Sequence, residues 1–483
     1  MFGEEVENQG KTRIQVTGVR MPCQDCNPGG EGKGKGGADS MMDNGNKTLE
    51  GNDMKTIGGI WGLLLAVGLF PALAWGQETE PPVEQVSAPT GDLTWVPDRR
   101  RNQFYRQFGY FAVPAPYNIE GVGGGVVVGG SVSNIADSTT DVALAGFTGA
   151  MTGWAAMVTE YHIVEERLLL DVIGNRWNRL TVNVYPDRGM ASGAKDYQIA
   201  GVREMDFTGA RTTLTFWERR LEFFLSYSTF QMSMSKMMDN QGVLIADLTG
   251  TPPHKSISGA MGLFADFTDD YQDPRKGFRF FLGNYHHPRQ NPDAPVFYIV
   301  DANLTGYVSV GEQSTWVVNL FQSQANVISL GLTDLAALAN QTGCPGQQPA
   351  CMGLANNTLL ANQHGTATSL GGLSRLRAYP INRFNGGATA FAGTELRFNF
   401  SGDPEPIDIF IMKDVKMALQ WALFCETGSV AETADRLWKR SRTDCGTGVR
   451  MVGGSGLVYR MDYAVGDEGG GLVMLVGYPW ENL

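Results

Sequence analysis

From about residue 120 onward the chain alternates apolar with small or polar side chains in segments far longer than ordinary strands, and this constrains the fold more than any other feature. Leu180, Val182 and Val184 alternate with Thr181 and Asn183, and Leu214 and Phe216 with Thr213 and Thr215. The same holds for Leu221, Phe223, Leu225 and Tyr227 against Glu222, Ser226 and Ser228, and for Leu396, Phe398 and Phe400 against Glu395, Arg397 and Asn399. Side chains on a strand point to opposite faces with period two, so each segment has one apolar face and one polar face. A soluble sandwich also alternates, but its strands usually run about five or six residues. These segments are long enough to cross a bilayer at a tilt. In lipid every backbone polar group must pair internally, which leaves helices or closed barrels. The expected fold is therefore all-β: a transmembrane antiparallel barrel with its apolar face on lipid and its polar face on the lumen.

Connections reinforce this expectation. Hairpins read near 121–163, 167–217, 219–270, 276–311 and 313–327, with later strands near 387–401, 407–426 and 447–480. Short turns at Arg219-Arg220, Asp273-Pro274 and Gly311-Glu312 alternate with longer loops at 235–255, 287–295 and 328–370, as in barrels with short periplasmic turns and long outer loops. The last piece is one hairpin, or a short strand plus a hairpin turning at Gly466-Asp467. The count is twelve to sixteen strands, with fourteen the best figure. Only 18% of residues are charged, and a net charge of −12 makes nucleic acid a poor partner.

Ahead of the barrel, residues 1–53 are rich in Gly, Asn and charge and cannot bury a core, so they read as a disordered or mis-assigned leader with Met54-Lys55 as the natural start. Residues 54–76 carry a basic start, an apolar run from Ile57 and the small-x-small pattern ending at Ala74, the layout of a cleaved signal peptide. A membrane anchor is the competing reading. Residues 77–118, with Pro81, Pro82, Pro97, Pro114 and Pro116, read as a periplasmic linker or plug, and 119–483 as the barrel. Beyond the signal lie Cys344, Cys351, Cys425 and Cys445, an even number that suits an oxidising compartment. Pairing 344 with 351 and 425 with 445 makes two local staples; spacing alone does not fix connectivity, and free thiols are the alternative.

The stretch from Leu370 to Pro380, with Leu376-Arg377-Ala378-Tyr379 at its centre, resembles the barrel of the BamA/TamA outer-membrane assembly family, the bacterial surface antigens. In that family a long outer loop folds into the lumen with an Arg-Gly-aromatic tip; here Ala378 stands where Gly is usual. Gly393 to Phe398 is similar to the family's Glu-bearing strand. Phe424 to Val430 is similar to its Phe-x-Asp-x-Gly-x-Val strand, with Glu426 replacing Asp. Further matches lie at Asp273 to Gly277 and at Gly121 to Gly130, the latter resembling a Gly-rich first strand. The resemblance spans about residues 118–480. It implies a bacterial outer-membrane protein that inserts or moves proteins or lipids through a weakly paired seam between first and last strands. The Gly-rich strand would supply that weak pairing. About forty residues between signal and barrel cannot hold a periplasmic POTRA domain, so a separate periplasmic partner or client outer-membrane proteins are the expected partners, beside outer-membrane lipids. The alternative is a passive pore or structural barrel that inherited the fold without the activity.

The loop tip also has a reading from charge alone. An arginine in a lumen needs carboxylate partners, because unpaired buried charge is costly, and one guanidinium fork can hold two carboxylates. Arg377, beside Tyr379, is expected to pair with Glu395 and Glu426 and lock the loop inside; an exposed loop charge is the alternative. No catalytic constellation, metal site or cofactor motif emerges, and the chain reads as no enzyme. His286 and His287 are adjacent and point to opposite faces of a strand. Asp269, Asp270 and Asp273 read as turn residues, and Met232, Met234, Met237 and Met238 as a lipid-facing or loop cluster.

Overall fold

A computed structural model describes residues 109–480, apart from 134, 136–137, 139, 165–166, 272, 342–348, 401–406, 416 and 454–457. The leader, the signal with Ala74, most of the linker and Cys344 lie outside the described residues, as does the Cys351 side chain.

Among the described residues the chain forms one 19-stranded antiparallel sheet that closes on itself. Its first half comprises β1 (Gly109–Ile119), β2 (Gly123–Ser133), β3 (Asp141–Gly149), β4 (Thr152–Val164), β5 (Leu168–Val184), β6 (Gln198–Phe216), β7 (Leu221–Met238), the short β8 (Leu244–Asp247) and β9 (His254–Asp266). The second half comprises β10 (Gly277–His287), β11 (Val296–Ser309), β12 (Ser314–Ser329), β13 (Ala388–Asn399), the short β14 (Ile407–Ile409) and β15 (Met412–Val415), β16 (Met417–Ala431), β17 (Arg442–Gly453), β18 (Val458–Gly466) and β19 (Gly469–Val476). Sixteen of these make the wall, and β8, β14 and β15 extend its rims. The best figure of fourteen is therefore corrected. One missed strand is β1, whose prolines make it read as linker, so the barrel begins ten residues before the expected boundary. A second lies in 121–163, where β2, β3 and β4 replace a single hairpin, because the two-residue turn at 150–151 interrupts the alternation only briefly, and a third lies in the last piece. Residues 313–327 belong to one strand rather than a hairpin. The last piece is a strand plus a hairpin turning at 467–468.

Strand faces follow the sequence period. In β13 Glu395, Arg397 and Asn399 are buried, and in β18 Arg460 and Asp462 are buried while Met461, Tyr463 and Val465 are exposed. The outer surface elsewhere carries Val128, Leu144, Leu225, Tyr227, Met261 and Leu423, all exposed. This is a soluble protein turned inside out, with charge inside and hydrocarbon outside, and it matches a wall facing lipid. Exposed aromatics gather near one rim: Phe216 at the end of β6 and Trp217 just after it, Phe223 at the start of β7, Phe278 at the start of β10, and Trp316 at the start of β12. Such a girdle is where amphipathic rings sit at a membrane interface. No helix among the described residues is long and apolar enough to cross a membrane.

The two rims differ. Turns 217–220 and 310–313 close one, whereas 185–197, 239–253, 288–295 and the long 330–387 connection crowd the other. The long connection carries α1 (Leu335–Gln341) and α2 (Pro349–His364), which pack through Leu338, Ala339 and Ala355. Loops on this rim are tied together: Arg188 forms an ion pair with Glu432 at 2.9 Å and donates to Thr366 and to the Gly365 carbonyl. Cys425 and Cys445 sit directly opposite each other on β16 and β17 and form a disulfide.

Candidate functional site: a buried arginine lock and a weak seam

Residues 370–384 fold into a compact tip. Leu370 and Phe384 exchange backbone hydrogen bonds of 2.9 and 3.0 Å, and the Gly371 N–H donates to the Arg375 carbonyl. Gly371 and Gly372 have φ of 108° and 94°, and a Cβ on Gly371 would lie 2.3 Å from the Pro380 carbonyl oxygen. Only glycine meets both the sign of φ and the contact. At Ala378, where the resemblance leads one to expect glycine, the backbone does not enter the left-handed region; Leu376 and Asn382 do. The room is supplied by the wall instead. A Cβ on Gly471 would meet the Arg377 and Ala378 carbonyl oxygens at 2.9 Å, and one on Gly466 would meet the Tyr379 hydroxyl at 2.7 Å.

Arg377 is fully buried and organises the site. Its Nε donates to Glu426 Oε1 at 3.0 Å, its own backbone N–H donates to Glu426 Oε2 at 3.0 Å, and Nη1 donates to Asp462 Oδ2 at 2.7 Å. Both terminal nitrogens lie 3.4 Å from Glu395 Oε2, and the guanidinium stacks 3.3 Å over the Phe424 ring. Glu395 in turn accepts from Arg450 at 2.6 and 2.5 Å and from Arg397 at 2.7 Å, while Asp462 accepts from Arg460 at 2.6 Å. The Ala378 N–H donates to Asp444 at 2.7 Å. Four guanidinium groups thus face four carboxylates across β13, β16, β17, β18 and the tip. A buried ion survives desolvation only when its donors and acceptors are matched, and Glu395 and Glu426 each accept through both oxygens.

Tyr379 completes the tip. Its hydroxyl donates to Asp467 at 2.5 Å in the β18–β19 turn, and its ring stands edge-on to Phe384 at 5.2 Å. Burial, then the hydrogen bond with Asp467, push the phenol above its usual range. Burial opposes ionisation of Asp467, but the Tyr379 hydroxyl and the Arg442 guanidinium hold its carboxyl below the usual range. Arg383 adds a bidentate pair with Glu468 at 2.6 and 2.8 Å and donates to Ser192.

Arg377, Glu395, Glu426 and Tyr379 therefore lie in one cluster. Sequence reasoning missed Asp462, Asp444, Arg450, Arg397, Arg460 and Trp480. A signal existed for some: Arg397 shares a face with Glu395, and Arg460 and Asp462 share a face within an otherwise apolar alternation. Trp480 follows β19, yet it is among the largest fully buried side chains; its indole N–H donates to Glu426 at 2.6 Å.

The second feature is the seam. β1 pairs with β2 over its whole length but meets β19 through one residue pair, Asn118 with Met474. Side chains supplement it: Asn118 Nδ2 donates to the Leu472 carbonyl at 2.5 Å, and the Tyr459 hydroxyl donates to the Pro116 carbonyl at 2.7 Å. Lower down, β15 takes the place of a last strand, pairing Tyr110 with Lys413 and Phe111 with Met412, and the Ala112 N–H donates to the Ile411 carbonyl. Backbone groups of alternate residues point to opposite edges. Since Ala112 faces the seam, so do Pro114 and Pro116, which have no N–H to give. The weak edge is thus a property of β1. The expectation that Gly121 to Gly130 supplies it is corrected: that segment is a turn and β2, zipped to β1 over eleven pairs and to β3 over eight. Its glycines permit close approach of neighbouring strands, since a Cβ on Gly125 would lie 2.0 Å from the Thr148 carbonyl oxygen.

No protein-family model matches the sequence, and no curated protein matches it. Among solved structures the chain is similar to BamA from Haemophilus ducreyi lacking POTRA domains 1–3, at 13% identity and a TM-score of 0.41, covering 78% of this chain and 75% of that one. It is also similar to CdiB from Escherichia coli, at 12% identity and a TM-score of 0.45, covering 76% of this chain and 60% of that one. CdiB from Acinetobacter baumannii gives 9%, 0.44, 76% and 59% respectively. The chain thus spans about three fifths of the CdiB chains' length. The likeness is one of barrel architecture.

Proposed function

We propose that this chain is a bacterial outer-membrane barrel that inserts or translocates proteins, or lipids, through the seam between β1 and β19. The observation that carries the reading is the single backbone pair at that seam in a wall whose other long neighbours are joined by seven or more. A barrel that never opens gains from a full ladder, because each unpaired backbone group in lipid is costly. The crowded rim is the extracellular one, and the 330–387 connection is an outer loop folded into the lumen and held by Arg377. Outer-membrane lipids surround the wall, and clients or a separate periplasmic partner approach from the rim that carries the short turns. A passive pore is the second reading, and the filling of the lumen by the tip and Trp480 counts against it.

A cysteine pair replacing Asn118 and Met474 tests the proposal, because oxidation would tie the seam. Depletion of the native protein is expected to lower the levels of other barrels in the outer-membrane proteome. Complementation by the cysteine pair is expected only under reducing conditions. An unchanged proteome on depletion sinks the assembly role. Steady, ion-selective conductance indifferent to the cross-link would establish the pore instead.

A further inference from the structure

The chain leaves the wall immediately after β19. Gly477, with φ of 106°, donates its N–H to the Val458 carbonyl at 2.7 Å and turns the backbone inward. Tyr478 then lies against the Arg397 guanidinium at 4.4 Å, and its hydroxyl donates to Asp273 at 3.2 Å. Trp480 enters a site made by other strands. Its indole N–H donates to Glu426, its carbonyl accepts from Asn303 at 2.7 Å and from Arg375 at 3.4 Å, and its ring lies near Phe391. The site is shaped for an indole. Gly393 leaves the space, since a Cβ there would come within 2.7 Å of the ring. Trp480 adopts φ of 68°, a conformation unfavourable for a bulky residue, and such conformations persist only where the surroundings over-determine them.

The place this segment would occupy in the wall is already taken. With Asn118 opposite Met474, continuation of β19 would set Trp480 beside Ala112, whose N–H is given to Ile411. Two of the donors between them are missing, at Pro114 and Pro116.

We propose that residues 477–480 are a plug acting in cis: Trp480 fills an indole site on the lumen wall, completes the Arg377–Glu426 lock, and withholds the end of the last strand from β1. The site accepts an indole-bearing extended peptide when its own occupant is removed. The inference rests on lumen geometry and stands apart from the transport reading.

The test is made in detergent, on the full chain, with a fluorescently labelled synthetic peptide of residues 477–483. Wild type, whose site is filled, is expected to bind little. The Trp480→Ala chain is expected to bind saturably, roughly tenfold more tightly than wild type, as for a buried aromatic anchor. The same peptide with alanine in place of its tryptophan is expected not to bind. Equal binding by wild type and Trp480→Ala, or none by a Trp480→Ala chain that retains its β-sheet circular dichroism, overturns the proposal. If Trp480→Ala does not fold, Trp480→Phe replaces it, since it keeps a ring and loses the donor, and the same order is expected. No membrane or client enters the assay, so its failure leaves the seam proposal intact, and failure of the seam cross-link leaves this one intact.

Discussion

Arg377 shows how one charge can position a loop of several dozen residues. It meets carboxylates from three strands, and none of the three is satisfied by Arg377 alone. Removing one member of such a network leaves buried charge under-compensated, which costs about 3–5 kcal/mol. Arg377→Ala and Glu426→Ala are each expected to lower the temperature at which the barrel loses its compact form on gels. Because they share one network, the double variant should fall well short of the sum; additive effects would show that the residues act independently. The wall glycines make a complementary prediction. Gly471→Val places side-chain atoms where the Arg377 and Ala378 carbonyls now sit. It is expected to release the tip to limited proteolysis while the barrel itself still forms.

At the level of elements, the tip is also held by a contact that responds to acid. The folded carboxyl of Asp467 titrates below its ordinary 3.8, so the contact with Tyr379 contributes fully above that value and is lost as the pH falls through the lower folded one. Tyr379→Phe should therefore lower the urea midpoint at pH 7, with the difference from wild type shrinking below about pH 4. A difference that persists unchanged in acid would mean that the hydroxyl acts through another partner. The disulfide joins neighbouring strands 20 residues apart in sequence. Closing a loop of that size stabilises by roughly 3 kcal/mol in the chain-entropy picture, and less where the strands are already paired. Replacing Cys425 and Cys445 with serine should cost up to that amount in unfolding titrations and leave the barrel intact.

For the whole molecule, the lock and the seam are separate devices on one wall. The lock fills the interior with matched charge, while β1 closes the circumference with an edge that its prolines keep weak. A barrel carrying Arg377→Ala should therefore conduct several-fold more in planar bilayers than wild type, since loss of the Arg377 ion pairs loosens the tip that fills the lumen. Unchanged conductance would place the obstruction elsewhere, in the helices or in Trp480.

Much of this architecture was legible in the chain. Period-two alternation identifies the wall and its faces because a strand offers only two sides. An arginine amid a polar lumen face identifies its need for carboxylates. What the sequence could not show is which residues meet across a closed cylinder. Asp462 and Arg450 reach the lock from strands far from Arg377 in sequence, and their role depends on circumference and register rather than local pattern. β1 looked like linker because proline argues against a strand, and only its place at an edge, with the missing donors turned to the seam, makes the prolines compatible with the sheet. Trp480 lies beyond the last alternating segment and is nevertheless an interior side chain, because Gly477 turns the backbone off the wall. The alternation of side chains by itself determined that this protein is a barrel with charge inside. Closure of the barrel decided which charges meet, since strand partners around a cylinder are set by three-dimensional register that no local period records.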